Sequence, residues 1–420
     1  MSTAILLSSL RRHQRTSFLV ASGLSTAGSF AGLTAKGWLL LNGSNSPLLL
    51  SLHFAALALP SLVVSGPAGV LTDRVGSERV LIRAQWALFG AGLLGAVAIP
   101  LSSGLAQMAL LLLSTLLVGI ASTYELTARS KYCALLVDEP DQLAPYLASF
   151  SVVFNVGKLV GPPVGGGLLA LSGASIALAL DAATYLLPIA TILWLLVPNR
   201  SAEVRSGTRP AADGSSESSL LNAWRSGGPV LRHVLRFTAL ACLAVFFHPA
   251  LAPLMARRVL DASPQALGSF TAVLAAGSIA GGVVLQRYSR WISSRPGLLL
   301  GCCTLATGLA QLGFARSDHA GVGLAMAFVI GAGTASLLAG VSMICQVGAP
   351  QRIRGRMAGL AQIAFLGSGG LSGIVAAWLC ETLGLEACFA LMGGLGCALG
   401  ALELIRHQHT RLADPQLRSV

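Results

Sequence analysis

The residues of this chain that could do chemistry are few, and most lie inside apolar runs. Lys158 stands in "GKLVGPPVGGG" (residues 157–167), Lys36 in "AGLTAKGWLL", Asp181 in "LALDAATYLL" and His248 in "VFFHPALAP". Glu125 and Arg129, in "TYELTARSKY", are spaced i,i+4 and so share a helix face. An ionisable side chain in hydrocarbon is costly, and it marks a substrate path, a proton path or a structural ion pair. The sequence offers no readable nucleophile–base pair, no HExxH or similar metal-ligand spacing, and no GxxxxGKS/T loop for a nucleotide phosphate. The expected chemistry is charge attraction and proton transfer, with no enzyme reaction, metal or cofactor.

Each of these groups has a functional and a structural reading. Lys158 lies near mid-span, too deep for easy snorkelling. It either faces a substrate cavity, drawing an anion or sensing a nearby acid, or it partners a carboxylate or carbonyl; its depth favours the cavity. Lys36 is about a turn and a half from the outer end of its span, so snorkelling to the outer surface accounts for it. Asp181, about two turns in from the outside, either pairs with Lys36 or Lys158 or carries protons; the structural pair is favoured. Glu125 and Arg129 either join a charge network at the cytoplasmic end of the fourth span or form a plain helix-end pair. His248, followed by Pro249, could titrate near neutral pH, but a hydrogen-bonded histidine at a kink is favoured.

The elements that position these groups follow from composition. Of 420 residues 54% are hydrophobic and 10% charged, with mean hydropathy +0.74; soluble domains carry about 25% charged residues. Continuous apolar runs, each of the ~20 residues needed to cross a ~30 Å hydrocarbon core, specify an all-α membrane protein. Twelve such runs centre near Leu33, Leu57, Gly92, Leu113, Lys158, Leu186, Val245, Leu274, Ala306, Met326, Gly369 and Gly393. A long polar segment rich in Ser, Gly, Pro and Arg divides them six and six. The expected organisation is a cytoplasmic lead (1–14), a first six-helix domain (15–197), a cytoplasmic linker (198–230), a second six-helix domain (231–406) and a cytoplasmic tail (407–420). Two pseudo-symmetric halves built on parallel repeats fit this pattern.

Most of the 28 Lys and Arg fall in the amino terminus, the linker, the tail and the loops on one side. The positive-inside rule puts that side, with both termini, in the cytoplasm. The +12 charge then needs no nucleic-acid partner. The amino-terminal "MSTAILLSSLRRHQRT" has too short an apolar core for a cleavable signal and reads as a basic interfacial lead. The eight cysteines lie almost all in apolar spans without CxxC and read as small apolar fillers.

Two stretches carry more specific information. In "GVLTDRVGSERVL" (residues 69–81), Asp73 lies just past the second span, where a carboxylate can cap the positive end of another helix. Gly69 would permit close helix approach and Gly76 a tight turn, while Arg74 and Arg79 could hold acidic lipid or a neighbouring carboxylate. In the fifth span, Gly157, Gly161, Gly165 and Gly166 surround Pro162 and Pro163. Small residues allow close helix packing, but the prolines remove two amide donors and should bend the helix. The expected partner is "AAGSIAGG" (275–282) of the eighth span, which would make the bent helix an outer gate.

The first stretch, with Gly69, Leu71, Asp73, Arg74 and Gly76, resembles the signature loop of the major facilitator superfamily. The second resembles the fifth-helix motif of that superfamily's proton-coupled exporters. Residues 136–187 and 345–360 are similar to the enterobactin-exporter and macrolide-efflux branch. The resemblance implies two six-helix halves that rock about a central cavity, with Asp73 latching the cytoplasmic gate against the start of the eleventh helix near "RGRMAGL" (354–360). Ser77 and Glu78 depart from the usual basic positions, leaving Arg79 to take one basic role. Ser29 stands where exporters of this type often carry an acid in the first helix. The resemblance implies a monomeric secondary transporter in a bacterial inner membrane. It would export a hydrophobic, amphipathic or siderophore-like small molecule by alternating access, with protons as the coupling ion. Import or equilibration of a small metabolite, and a non-transporting sensor or assembly protein, are the alternatives.

Overall fold

The structure, a computed structural model, describes residues 2–137, 140–194, 223–288, 291–292, 295–349 and 354–413. Twelve of its helices are long and apolar enough to cross a membrane. In the first half they are α1 (His13–Ser44), α2 (Pro47–Val75), α3 (Ser77–Leu101), α4 (Gly104–Cys133), α5 (Val152–Ser172) and α6 (Ala174–Trp194). In the second they are α7 (Gly228–Val259), α8 (Pro264–Arg287), α9 (Pro296–Ala315), α10 (Ala320–Cys345), α11 (Gly359–Leu383) and α12 (Leu385–Gln408). Each expected centre falls inside its span. Lipid offers no partner to a free amide, so even the glycine- and proline-rich stretches remain helical.

Several boundaries differ from expectation. The basic lead is no separate element: one helix runs without interruption from Ser2 to Ser44. The fifth helix likewise begins at Pro140 and continues through Pro162 and Pro163 to Ser172. The α2–α3 turn is made by Gly76, whose φ of 95° is a conformation that a Cβ would strain. Helical geometry is interrupted at Tyr185 in α6 and at Phe246–Phe247 in α7. Ile363–Gly367 of α11 forms a π-helical turn, a geometry concentrated at functional sites. Most of the linker lies outside the described residues.

The chain forms two compact units. The first comprises Met1–Asn45, Ala56–Gly214 and Ser263–Ala272; the second comprises Ser46–Ala55, Ser215–Ala262 and Val273–Val420. In the first, α1 packs along α5 and α3 along α4. An aromatic cluster closes one end, with Phe18 5.5 Å edge-on from Tyr132 and 5.7 Å from Phe150. In the second, α9 and α12 approach backbone to backbone, the carbonyl of Gly393 and the amide of Cys397 lying where a Cβ on Gly308 would go. Val63, Leu101, Trp194 and Trp378 are exposed, whereas Ser114, Thr304 and Gln311 are buried. Apolar groups outward and hydroxyls inward is what hydrocarbon solvent demands.

Candidate functional site: a hydroxyl-lined cavity and the charges behind it

A cavity of about 180 Å³ opens among α1–α6 of the first unit. Ser22, Ser25 and Ser29 supply one wall; their i, i+3, i+7 spacing places them on one face of α1. The facing wall is α4, with Ser122, Glu125 and Arg129. Glu125 and Arg129 are joined at 3.0 Å, and the Arg129 guanidinium also lies 5.5 Å from the Phe150 ring centroid. An ion pair so well screened from water is locked in place by its neighbours. Phe30, Leu88, Phe154 and Tyr185 add apolar surface. The cavity therefore suits a solute with an apolar body and several hydrogen-bonding groups.

Behind this wall lies a second layer of charge. The Ser29 hydroxyl is 2.9 Å from Tyr185 Oη, to which it can donate. Tyr185 follows Asp181 by four residues, so the two side chains share one face of α6. Asp181 is 5% exposed and lies against Gly32 of α1, where a Cβ would collide with its carboxylate. One turn beyond Gly32, Lys36 is 1% exposed and donates to Ser114 Oγ at 2.7 Å; Ser114 donates to the Ala91 carbonyl at 2.6 Å. Lys36 and Asp181 interact electrostatically without a direct hydrogen bond.

This corrects the expected snorkelling of Lys36. Because α1 extends to Ser44, the lysine is two turns from the end of its helix. Its ammonium turns inward, where a hydroxyl and a carboxylate replace water. Asp181 and Lys36 both face the Gly32–Gly95 region behind the cavity, the lysine bonded to Ser114. Lys158 is half-buried and is not among the cavity's lining residues.

The loop and the fifth helix are also arranged differently from expectation. Asp73 pairs with Lys131 of α4 at 2.5 Å, with Lys131 Nζ also 3.5 Å from the Gly69 carbonyl. Gly69 serves no close helix approach among the described residues. Arg74 and Arg79 are exposed, as is Leu71. Glu125 and Arg129 face the cavity and each other, not Asp73. The expected Asp73 partner near 354–360 falls on side chains mostly outside the described residues.

In α5, Gly157, Gly161 and Gly165 form a stripe against α1. A Cβ on Gly161 would lie 2.5 Å from the Ala27 carbonyl oxygen, and one on Gly165 would lie 2.5 Å from that of Ala31. Gly166 meets the backbone of Pro264, and Gly268 sits against the Pro162 carbonyl. Within the "AAGSIAGG" stretch, Gly277 and Gly281 pack on α10 at Phe328 and Ala332. His248 is buried just after the α7 interruption, 5.2 Å edge-on from Phe246.

A family model described as transmembrane secretion effector matches residues 5–416. The chain belongs to this family. It is thus a major facilitator transporter of the drug-efflux branch rather than an enzyme. Among curated relatives of this secretion effector chain, the multidrug efflux pump Tap of Mycolicibacterium fortuitum is 26% identical over 379 residues, 88% of this chain and 90% of that protein. Tap of Mycobacterium tuberculosis is 24% identical over 383 residues, 88% of each. Among solved structures, the nucleoside transporter NupG superposes with TM-score 0.70 at 13% identity, covering 93% of this chain and 98% of NupG. A POT family transporter in complex with 5-aminolevulinic acid gives 0.66 at 14%, covering 95% and 96%. These two establish the fold alone.

Several of these groups carry no sequence signal of their own. Lys131 is one basic residue among many on the positive side. Tyr185 follows Asp181 by four residues, a spacing visible in the sequence. In the second unit, Gln311 donates to the Val245 carbonyl at 2.8 Å, satisfying the α7 interruption, and His233 bridges Glu403 at 2.8 Å and Arg406 at 3.0 Å. Glu381 of α11 accepts from Ser46 Oγ at 2.7 Å and from the Leu48 amide at 3.2 Å, capping α2. No local sequence signal joins these pairs, which are distant in the chain.

Proposed function

We propose that this transporter exports amphipathic small molecules from the cytoplasm in exchange for protons, by alternating access. The observation that carries the reading is its similarity to the Tap efflux pumps along nearly nine-tenths of either chain. The cavity in the first unit supports it chemically. Serine hydroxyls and an internally compensated ion pair offer hydrogen bonds to many solutes without committing the site to one charge. Both termini and the linker lie in the cytoplasm, following the lysine and arginine bias. Asp73 and Lys131 form a clasp on the cytoplasmic side, and Gly161, Pro162 and Gly165 hold α5 close against α1 while the outer side opens and closes.

Inverted membrane vesicles test this reading. With an imposed acid interior they should accumulate a fluorescent amphipathic cation such as ethidium, and a protonophore should abolish the accumulation. Accumulation indifferent to the protonophore would exclude proton exchange, and no accumulation of any member of a drug and siderophore panel would exclude export.

A further inference from the structure

The first helix offers Ser29 where an exporter would be expected to carry a proton-binding acid, yet the cavity beside Ser29 is connected to a buried carboxylate. Ser29 Oγ, 2.9 Å from both the Ser25 carbonyl and Tyr185 Oη, can donate to Tyr185, which stands one helical turn from Asp181 on the same face of α6. Ser29 and Tyr185 both line the cavity; Asp181 lies behind them. Asp181 Oδ1 has no hydrogen-bond partner among the described residues, although the side chain is almost wholly buried. Such an acceptor is expensive to leave unfilled.

The charged and titratable groups that act on Asp181 are few. Lys36 faces it from α1 and Tyr185 from its own helix. Glu125, paired with Arg129, acts on Tyr185 from α4 across the cavity. Lys36 is itself fixed by Ser114 rather than by a direct bond to the carboxylate. The pair is therefore neutral when Asp181 is ionised and carries one net positive charge when it is protonated. That unit of buried charge sits between α6 and α1 at Gly32, and α1 is also the helix whose serines line the cavity and whose Ala27 and Ala31 receive the α5 glycines. Proton occupancy and helix packing thus share one element.

We infer that Asp181 takes up the coupling proton in this transporter, reached from the cavity through Ser29 and Tyr185 and balanced by Lys36. In the transfer, a hydronium ion in the cavity gives a proton to Ser29 and is left as water, Ser29 passes its hydroxyl proton to Tyr185, and Tyr185 passes its own to the Asp181 carboxylate. Each hydroxyl is restored, and the only net change is one proton moved from hydronium to Asp181. The inference rests on the proton-exchange reading above and names its site.

Two measurements on purified full-length protein test it. Infrared difference spectra across a pH titration should show a carbonyl stretch from a buried, protonated carboxylic acid. The band should persist in E125Q and disappear in D181N. In proteoliposomes loaded with a pH dye, ethidium movement driven by a pH gradient should be lost in D181N, while ethidium counterflow without a gradient continues. Y185F should slow proton movement without changing the final accumulation. Gradient-driven accumulation by D181N, or an unchanged carbonyl band in that variant, would overturn the inference. Wild-type protein indifferent to the gradient would instead overturn proton exchange itself, so the two failures are distinguishable. Ethidium counterflow in D181N, with a single symmetric chromatographic peak, separates loss of coupling from loss of fold; loss of counterflow by both D181N and Y185F would assign Asp181 to the framework and also overturn the inference.

Discussion

Lys131 turns the loop between α2 and α3 from a set of exposed charges into a specific clasp, because its ammonium meets Asp73 directly. The side chains are 42% and 70% exposed, so the pair contributes only about 0–1 kcal/mol to stability. Substitution should therefore act on transport rather than on folding. K131M and D73N are expected to share one phenotype, slowed turnover with a nearly unchanged melting temperature. The charge exchange D73K/K131D should recover part of the rate. Normal vesicle transport by K131M would remove the clasp from the mechanism. Lys36 stands at the opposite extreme. Removing the ammonium alone leaves the Asp181 carboxylate buried without its countercharge, and breaking a buried pair costs about 3–5 kcal/mol. K36M should thus lower the melting temperature sharply, and K36M/D181N should restore much of it; additive losses would show that the two groups do not interact. The burial of Lys36 was not legible in the sequence because a lysine near a helix end can snorkel. The outcome depends on Ser114 and Asp181, which the chain places 78 and 145 positions away.

At the level of elements, twelve helices were legible because hydrocarbon leaves an apolar chain segment no other regular structure, and length and hydropathy are local properties. Helix partners were not. A glycine stripe says how closely something approaches, never what approaches. That is why the α5 motif was assigned to the "AAGSIAGG" stretch of α8, whose glycines in fact meet α10, while three α5 glycines meet α1. The cost of filling this contact is specific. A Cβ at Gly165 would meet the backbone of Ala31, which cannot rotate away, whereas Gly167 faces open space among the described residues. G165A should destabilise by about 1–3 kcal/mol, the usual range for overpacking. G167A should leave melting in detergent unchanged. Equal behaviour of the two would mean that the α1–α5 contact tolerates separation. The interruption of α7 follows the same logic in the second unit: Q311L would strand the Val245 carbonyl and should cost about 1–3 kcal/mol.

For the whole molecule, the direction of transport depends on which side of the membrane each end of the bundle faces. The sequence speaks to this through charge alone. Arg11, Arg12, Arg15, Arg74, Arg79 and Arg83 all precede or join helices on one side, whereas Arg257, Arg258 and Arg316 lie on the other. Translocating a basic loop opposes the membrane potential, and the proposed orientation therefore keeps the arginine-rich side in the cytoplasm. A cysteine introduced at Ser206 in the linker should react with a membrane-impermeant maleimide only in inverted vesicles. One introduced at Ser317, between α9 and α10, should react only in intact cells. A C302S background avoids the native exposed thiol. The reverse pattern would carry a larger consequence than a change of labels. It would move the Asp73–Lys131 clasp to the outer face, and the α5–α1 glycine contact would then flank the cytoplasmic opening. Under that arrangement the orientation on which the export reading rests would fail, and uptake would be the reading to test next.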